Sequence, residues 1–173
     1  MCIRDRVGTL GDSAAGLAQL LADPIASGPL VEAYRRPTPL LAAGQALAPD
    51  ATASMDISDG LLLDLTRLCA ASGCGAELDL AHLPLSPAFV ADCGNNLDAR
   101  LFAATGGDDY AILAALAADL DPFMLPLPRG ATVTPIGTLV AGDTVSLTYE
   151  GAAVPLPERL GHEHRTADDA ADD

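Results

Sequence analysis

The sequence has 173 residues and a mass of 17.6 kDa, which suits one domain or one domain with part of another. Half of the residues are hydrophobic and only 19% are charged, which argues against a wholly disordered chain. The net charge is −15, and all 9 basic residues are arginines, which disfavours nucleic-acid binding, an anionic membrane surface and a P-loop with its lysine.

Apolar periodicity and turn residues predict intermixed helices and strands, which indicates an α/β or mixed α+β class. The predicted helices cover residues 11–22, 30–34, 40–48, 61–72, 86–93 and 97–104. The predicted strands cover residues 51–57, 76–80, 110–116, 133–140 and 144–149, and those at 51–57 and 110–116 are expected to be buried. Gly142 and Asp143 predict a hairpin between the last two strands.

Two features bear on where the protein acts. The sequence has no run of about 18 apolar residues, so no membrane span is predicted. The four cysteines, Cys2, Cys69, Cys74 and Cys93, fit no zinc-binding spacing. We therefore expect reduced thiols in a cytoplasmic protein.

Two carboxylates and a hydroxyl are predicted where a strand turns into a helix, in Met55-Asp56-Ile57-Ser58-Asp59-Gly60-Leu61. Alternation along the strand places Asp56 and Ser58 on one side, and Asp59 follows at the turn. Oxygen ligands beside a helix N-terminus suit Mg²⁺ and a phosphate group. The alternative is that Asp59 or Ser58 simply caps the helix. The residue types alone leave both interpretations open.

Two further segments are candidate ligand sites. Thr105–Tyr110 has two glycines before two acids, so its backbone can approach a ligand, or it is a plain turn with a solvated acidic pair. Gly8–Gly16 is a glycine-rich opening of a helix. It either cradles a phosphate or begins a capped helix that packs closely through small residues.

Several segments together resemble the C-terminal half of the thiamine-monophosphate kinase family. The segments that carry the resemblance are GTLGDSAAGL at 8–17, RPTP at 36–39, DISDGL at 56–61, GCGAELDLAHLPL at 73–85 and GGDDY at 106–110. The family belongs to a superfamily of ATP-dependent synthetases that includes aminoimidazole ribonucleotide synthetase and selenophosphate synthetase. The resemblance implies the C-terminal domain of that two-domain architecture, with a mixed sheet and packed helices.

The resemblance also implies an activity, namely Mg²⁺-dependent transfer of the γ-phosphoryl group of ATP directly onto thiamine monophosphate to give thiamine diphosphate. It implies a homodimer for the complete protein. By motif, Asp56 and Asp59 would bind Mg²⁺ and Ser58 would contact ATP. Asp108 and His162 would contact thiamine monophosphate, although the family has Glu and an aromatic residue at those two positions. No catalytic base is expected, because the acceptor is itself a phosphate.

The resemblance further divides the chain. Residues 1–6 are expected to be a non-native leader, residues 7–165 the C-terminal domain with the helix that joins it to an N-terminal domain, and residues 166–173 a disordered acidic tail. Without the N-terminal half, the chain is expected to be inactive alone. Two alternatives are a sister synthetase of the same superfamily and a stand-alone α/β binding module.

Overall fold

Two four-stranded sheets and six helices make up the computed structural model, which describes residues 4–121 and 124–162, with side chains from Gly8 onward. The strands are β1 (Arg4–Val7), β2 (Ala51–Ile57), β3 (Gly75–Asp79), β4 (Ala111–Leu116), β5 (Val133–Pro135), β6 (Gly137–Val140), β7 (Val145–Tyr149) and β8 (Ala152–Val154). The helices are α1 (Asp12–Ala22), α2 (Pro29–Arg35), α3 (Leu41–Leu47), α4 (Leu61–Ser72), α5 (Pro87–Cys93) and α6 (Leu97–Thr105), and a 3₁₀ turn spans Leu80–His82. The mixed α/β class is confirmed.

The first sheet has the order β2-β4-β1-β5, and its strand pairs are all antiparallel. In the register of β2 and β4, Asp56 lies opposite Ile112 and Ile57 opposite Ala111. The end of β2 therefore meets the beginning of β4. Consequently the loop that leaves β2 and the loop that enters β4 emerge at the same edge of the sheet, which brings together two motifs that lie about fifty residues apart.

The backbone of β1 lies between β4 and β5, with Val7 opposite Ile112 in one neighbour and Val133 in the other. This pairing gives residues 4–7 a place in the sheet and says nothing of their origin. The division of the chain at residue 7 stays a prediction, and the predicted tail at 166–173 lies outside the described residues.

The second sheet, in the order β6-β3-β7-β8, corrects the prediction for the last strands. The expected strand over 133–140 is broken at Ile136, so that β5 belongs to the first sheet and β6 to the second. A Cβ atom at Gly137 would lie 2.2 Å from the carbonyl oxygen of Glu77, so only glycine allows this approach of β6 to β3.

The hairpin expected at Gly142 and Asp143 is also wrong. β6 and β7 do not pair with each other, because β3 lies between them, antiparallel to β6 and parallel to β7. The hairpin in this part of the chain joins β7 to β8 instead, through Glu150 and Gly151, which have φ of 51° and 81°. Two consecutive positive φ values are the requirement of a type I′ turn.

The core explains why β4 is the most apolar strand. Its Leu113 packs in a cluster with Ile57 and the helices α4 and α6, and its Leu116 packs in a second cluster with Leu47 of α3. The predicted burial of this strand is confirmed. The predicted burial of β2 is wrong, because β2 lies at the edge of the described sheet and only Ile57 within it is fully buried. In the described ranges, no helix is long and apolar enough to cross a membrane.

Candidate functional site

The loops at the shared edge of the first sheet are held together by backbone hydrogen bonds. The N–H of Asp108 donates to the carbonyl oxygen of Ser58 at 2.8 Å, and the N–H of Tyr110 donates to that of Ile57 at 2.9 Å. The N–H of His162 donates to the carbonyl oxygen of Asp59 at 2.7 Å. Three distant segments of the chain therefore meet at one place.

Glycines make this close approach feasible. A Cβ atom on Gly107 would lie 2.7 Å from the carbonyl oxygen of Ser58, and one on Gly161 would lie 2.3 Å from that of Asp59. Gly60 has a φ of 119°, and a Cβ atom there would lie 2.8 Å from the carbonyl oxygen of Thr105. Real Cβ atoms do not approach a backbone so closely, so the glycines in both motifs serve the packing of one loop on the other.

Asp64 organises the loop after β2. Its side chain is 1% exposed, and its Oδ2 atom accepts the N–H groups of both Ser58 and Asp59 at 3.0 Å. Its Oδ1 atom lies 3.2 Å from the guanidinium of Arg67, which also binds the carboxylate of Asp59. The hydrogen bond that Arg67 donates to Asp59 is the main cause that raises the pKa of Arg67, and the charge of Asp59 and the contact with Asp64 add to it. A buried carboxylate thus fixes the backbone of the motif.

The helix-cap interpretation of Ser58 and Asp59 is wrong. The residue before α4 is Gly60, and no side chain hydrogen-bonds the first turn from that position. Asp59 instead faces Arg67, and Asp56 is exposed at the edge of the sheet. Among the residues with described side chains, no group of three or more His, Cys, Asp or Glu side chains is arranged to hold a metal ion.

The two acids of the GGDDY motif have different hydrogen-bond partners. Asp108 has a φ of 63°, is exposed, and accepts a hydrogen bond from the hydroxyl of Tyr110 at 3.4 Å. Its charge is the main cause that raises the pKa of Tyr110, with burial second and the charge of Asp56 a smaller cause. Asp109 turns the other way and accepts the N–H groups of Gly11 at 2.8 Å and Ser13 at 3.5 Å, at the beginning of α1.

For the glycine-rich segment at residues 8–16, the structure favours close packing through small residues over a phosphate cradle. The N–H groups that a phosphate would use at the start of α1 already bind Asp109. Asp12 accepts hydrogen bonds from the hydroxyls of Thr9 and Ser86, both at 2.5 Å. A Cβ atom on Gly16 would lie 2.0 Å from the carbonyl oxygen of Leu30, so α1 packs directly on α2.

A cavity of about 420 Å³ opens between these loops and α1. Four of the five predicted site residues line it, namely Ser58, Asp59, Asp108 and His162, together with Ser13, Ala14, Leu17, Tyr34, Gly107 and Tyr110. A neighbouring cavity of about 200 Å³ is lined by Asp108, Asp109 and Arg36 of the RPTP segment, among others. The site therefore offers acidic oxygens, apolar and aromatic surface, and arginine side chains at its margin.

The sequence did not indicate the roles that Asp64 and Asp109 have in this site. Asp64 lies in the helix that the leucine pattern predicts. The feature that distinguishes Asp64 is its burial in the folded chain. In the sequence, Asp108 and Asp109 look like one acidic pair. The contact of Asp109 with α1 is long-range, so local residue spacing does not predict this contact.

Comparison with known proteins places the chain in a family. Residues 6–150 match the family described as AIR synthase related protein, C-terminal domain, and the chain belongs to that family. It is 36% identical over 167 residues to the thiamine-monophosphate kinase of Caulobacter vibrioides. The aligned region covers 91% of this chain and 46% of that protein. The chain therefore spans about half the length of the curated relatives it matches.

Solved structures agree with this placement. The thiamine-monophosphate kinase from Stenotrophomonas maltophilia superposes with a TM-score of 0.75 and 33% identity, covering 89% of this chain and 52% of that one. The structure of AaThiL complexed with AMPPCP and TMP gives a TM-score of 0.74 and 32% identity, covering 94% of this chain and 52% of that one. The predicted family is confirmed.

Proposed function

We propose that this chain supplies the C-terminal part of a thiamine-monophosphate kinase, which transfers the γ-phosphoryl group of ATP onto thiamine monophosphate to give thiamine diphosphate. One observation carries the proposal. Ser58, Asp59, Asp108 and His162 come from three separate segments, and all of them line a single cavity. The solved AaThiL complex, which holds AMPPCP and TMP, supports the same pair of ligands for this chain.

Each side chain has a proposed role. Ser58 contacts ATP, through a hydroxyl on the loop that Asp64 holds in place. Asp108 and His162 contact thiamine monophosphate, since both line the same cavity as Ser58. No residue is assigned as a general base, because the acceptor phosphate is already an oxygen nucleophile, and phosphoryl transfer depends mainly on positioning and charge neutralisation.

Asp56 and Asp59 are the proposed Mg²⁺ ligands. Carboxylate oxygens are the donors that Mg²⁺ prefers, and a chain without lysine has few other cations for neutralising phosphates. Held by these carboxylates, Mg²⁺ would supply positive charge that offsets the charge of the phosphates. Two carboxylates are fewer than an octahedral ion needs, so the remaining ligands are proposed to come from water, substrate and the part of the relatives' length that this chain does not span.

Asp59 also binds Arg67, which fixes the direction of its carboxylate. Because about half the length of the relatives is unmatched, we propose that the 173-residue chain alone does not catalyse the reaction. The complete protein is proposed to be a cytoplasmic homodimer.

A chimera tests the proposal directly. The segment of the Caulobacter vibrioides relative that this chain matches is replaced by this chain, and formation of thiamine diphosphate is measured with Mg²⁺, ATP and thiamine monophosphate. We expect activity in the chimera and none in the chain alone. Asp59→Asn in the chimera should lower activity strongly and raise the Mg²⁺ concentration required.

The matched control is Asp119→Asn. Asp119 is exposed and follows the far end of β4, so this variant should leave activity unchanged. A folded chimera that consumes ATP only with aminoimidazole ribonucleotide precursors or with selenide would favour a sister synthetase. A folded chimera without any activity would favour the stand-alone binding module.

A further inference from the structure

The end of α4 brings two cysteines together. Gly73 has a φ of 63°, its N–H donates to the carbonyl oxygen of Ala70 at 3.4 Å, and the N–H of Cys74 donates to that of Cys69 at 3.1 Å. This pair of hydrogen bonds defines a Schellman motif. A contact between the side chains of the first and last residues often accompanies this motif. Here both residues are cysteines, and Cys74 packs against the core cluster that contains Cys69.

The two thiols differ in environment. Cys69 is 1% exposed and belongs to the main core cluster. Cys74 is partly exposed and lines a cavity of about 360 Å³ between β2, β4 and β6. Thr52, Ala115 and Leu139 line the same cavity. Small polar oxidants can therefore reach Cys74, whereas Cys69 is shielded by the protein.

The two thiols also interact with each other. Burial raises the pKa of Cys69 to about 11, and the neighbouring Cys74 is the second cause. Cys93, the third cysteine described, lies at the end of α5, where burial and Asp92 raise its pKa. Cys93 therefore serves as an internal reference for an isolated thiol.

We propose that Cys69 and Cys74 form a peroxide-sensitive modification site that closes reversibly to a disulfide. The Cys74 thiolate attacks one oxygen of hydrogen peroxide, so the O–O bond breaks and a sulfenic acid and hydroxide form. The Cys69 sulfur then attacks the sulfenic sulfur, and the sulfenic oxygen leaves as water. In sum, two thiols and one hydrogen peroxide give one disulfide and two waters.

The Schellman motif makes the second step intramolecular. Because Gly73 can adopt the left-handed conformation, the chain reverses within one turn and holds Cys74 against Cys69 before any oxidation. The disulfide would tie the last turn of α4 to the start of β3, which begins at Gly75. This link lies at the opposite end of α4 from the loop that carries Ser58 and Asp59.

The experiment uses the full chain, reduced, freed of reductant and exposed to hydrogen peroxide. After unreacted thiols are blocked, cleavage with trypsin and a glutamate-specific protease releases residues 68–77 with both cysteines and places Cys93 on another peptide. We expect the 68–77 peptide to lose the mass of two hydrogen atoms and to escape blocking, and we expect dithiothreitol to reverse both changes. Cys93→Ser should behave as the parent, and Cys69→Ala should leave Cys74 unable to form this bond.

Two turn variants keep the proposal testable if Cys69→Ala folds poorly. Gly73→Asn retains a residue that tolerates positive φ and should oxidise at the parental rate, whereas Gly73→Val should slow formation of the bond several-fold. Unmodified thiols, added oxygen atoms without a bond between Cys69 and Cys74, or a link to Cys93 would each overturn the proposal. An unchanged or faster rate in Gly73→Val would do the same.

Discussion

The carboxylate of Asp109 accepts the backbone N–H of Gly11 at 2.8 Å, although 98 residues separate them in sequence. α1 has no side-chain cap of its own, because Gly11 precedes it. The loop before β4 therefore supplies the acceptor that the helix start lacks. The start of α1 and the GGDDY motif form one structural unit, and the cavity lies against both.

Asp109→Ala should lower the free energy of unfolding by about 1 kcal/mol, the usual cost of losing a helix cap. The reason is that the N–H groups of Gly11 and Ser13 lose their acceptor. Denaturant unfolding measures the change. Asp108→Asn is the control, since Asp108 is exposed and asparagine tolerates its positive φ. Equal losses in the two variants would contradict the capping role.

Asp64→Ala should cost about 1–3 kcal/mol, because two N–H groups and Arg67 lose a buried partner. Asp64→Asn should cost less, since its one oxygen can still accept N–H groups. The same unfolding measurement ranks the two variants. In the chimera, both should also weaken ATP binding through the displaced Ser58. A variant with normal stability and normal ATP binding would show that the loop holds its shape unaided.

Gly107→Ala should destabilise the chain by about 1–3 kcal/mol, because the new Cβ would meet the carbonyl oxygen of Ser58 at 2.7 Å. Gly44→Ala is the matched control. A Cβ on Gly44 meets only the side-chain end of Ile112 at 3.3 Å, and alanine favours the helix α3. Thermal unfolding should therefore show a loss for Gly107→Ala and little change or a gain for Gly44→Ala. The opposite order would refute the close-packing argument.

Stability under reducing conditions should fall as the pH rises above about 9. The thiol of Cys69 has its pKa raised from 9.0 to about 11 in the folded chain, mainly by burial. The unfolded state therefore loses its proton first, and stability present below pH 9 declines toward pH 11 at up to about 1.4 kcal/mol per pH unit. Denaturant unfolding across this range measures the slope. Cys69→Ala should reduce the slope, and the remaining slope would come from other groups with a raised pKa, such as Cys93 and Tyr110. An unchanged slope in Cys69→Ala would contradict the assignment.

The sequence was most informative where local rules decide the structure. The leucine periodicity and Gly73 predicted α4 from Leu61 to Ser72, as observed. The motifs with Asp56 and Asp108 were expected to share a site, and the antiparallel register of β2 and β4 explains how they meet. A motif at the end of one strand and a motif at the beginning of its antiparallel neighbour necessarily lie at the same edge.

The remaining features depend on contacts that local patterns do not encode. The hairpin predicted at Gly142 failed because β3, some sixty residues earlier, inserts between β6 and β7. β2 is apolar enough to be taken for a buried strand, yet it lies at the edge of the described sheet. The roles of Asp64 and Asp109 likewise follow from the folded backbone, since each accepts N–H groups from a different element.

The hydrogen bonds that join the three loop segments have a consequence for dynamics. The amide protons of Asp108, Tyr110 and His162 are all donated to carbonyl groups in the stretch that runs from Ile57 to Asp59. None of these segments can open without releasing bonds to that stretch, so the protons should exchange with solvent in one shared event rather than loop by loop. If the exchange is shared in this way, the cavity opens as one unit, and a ligand bound in it would slow the exchange of all three protons together.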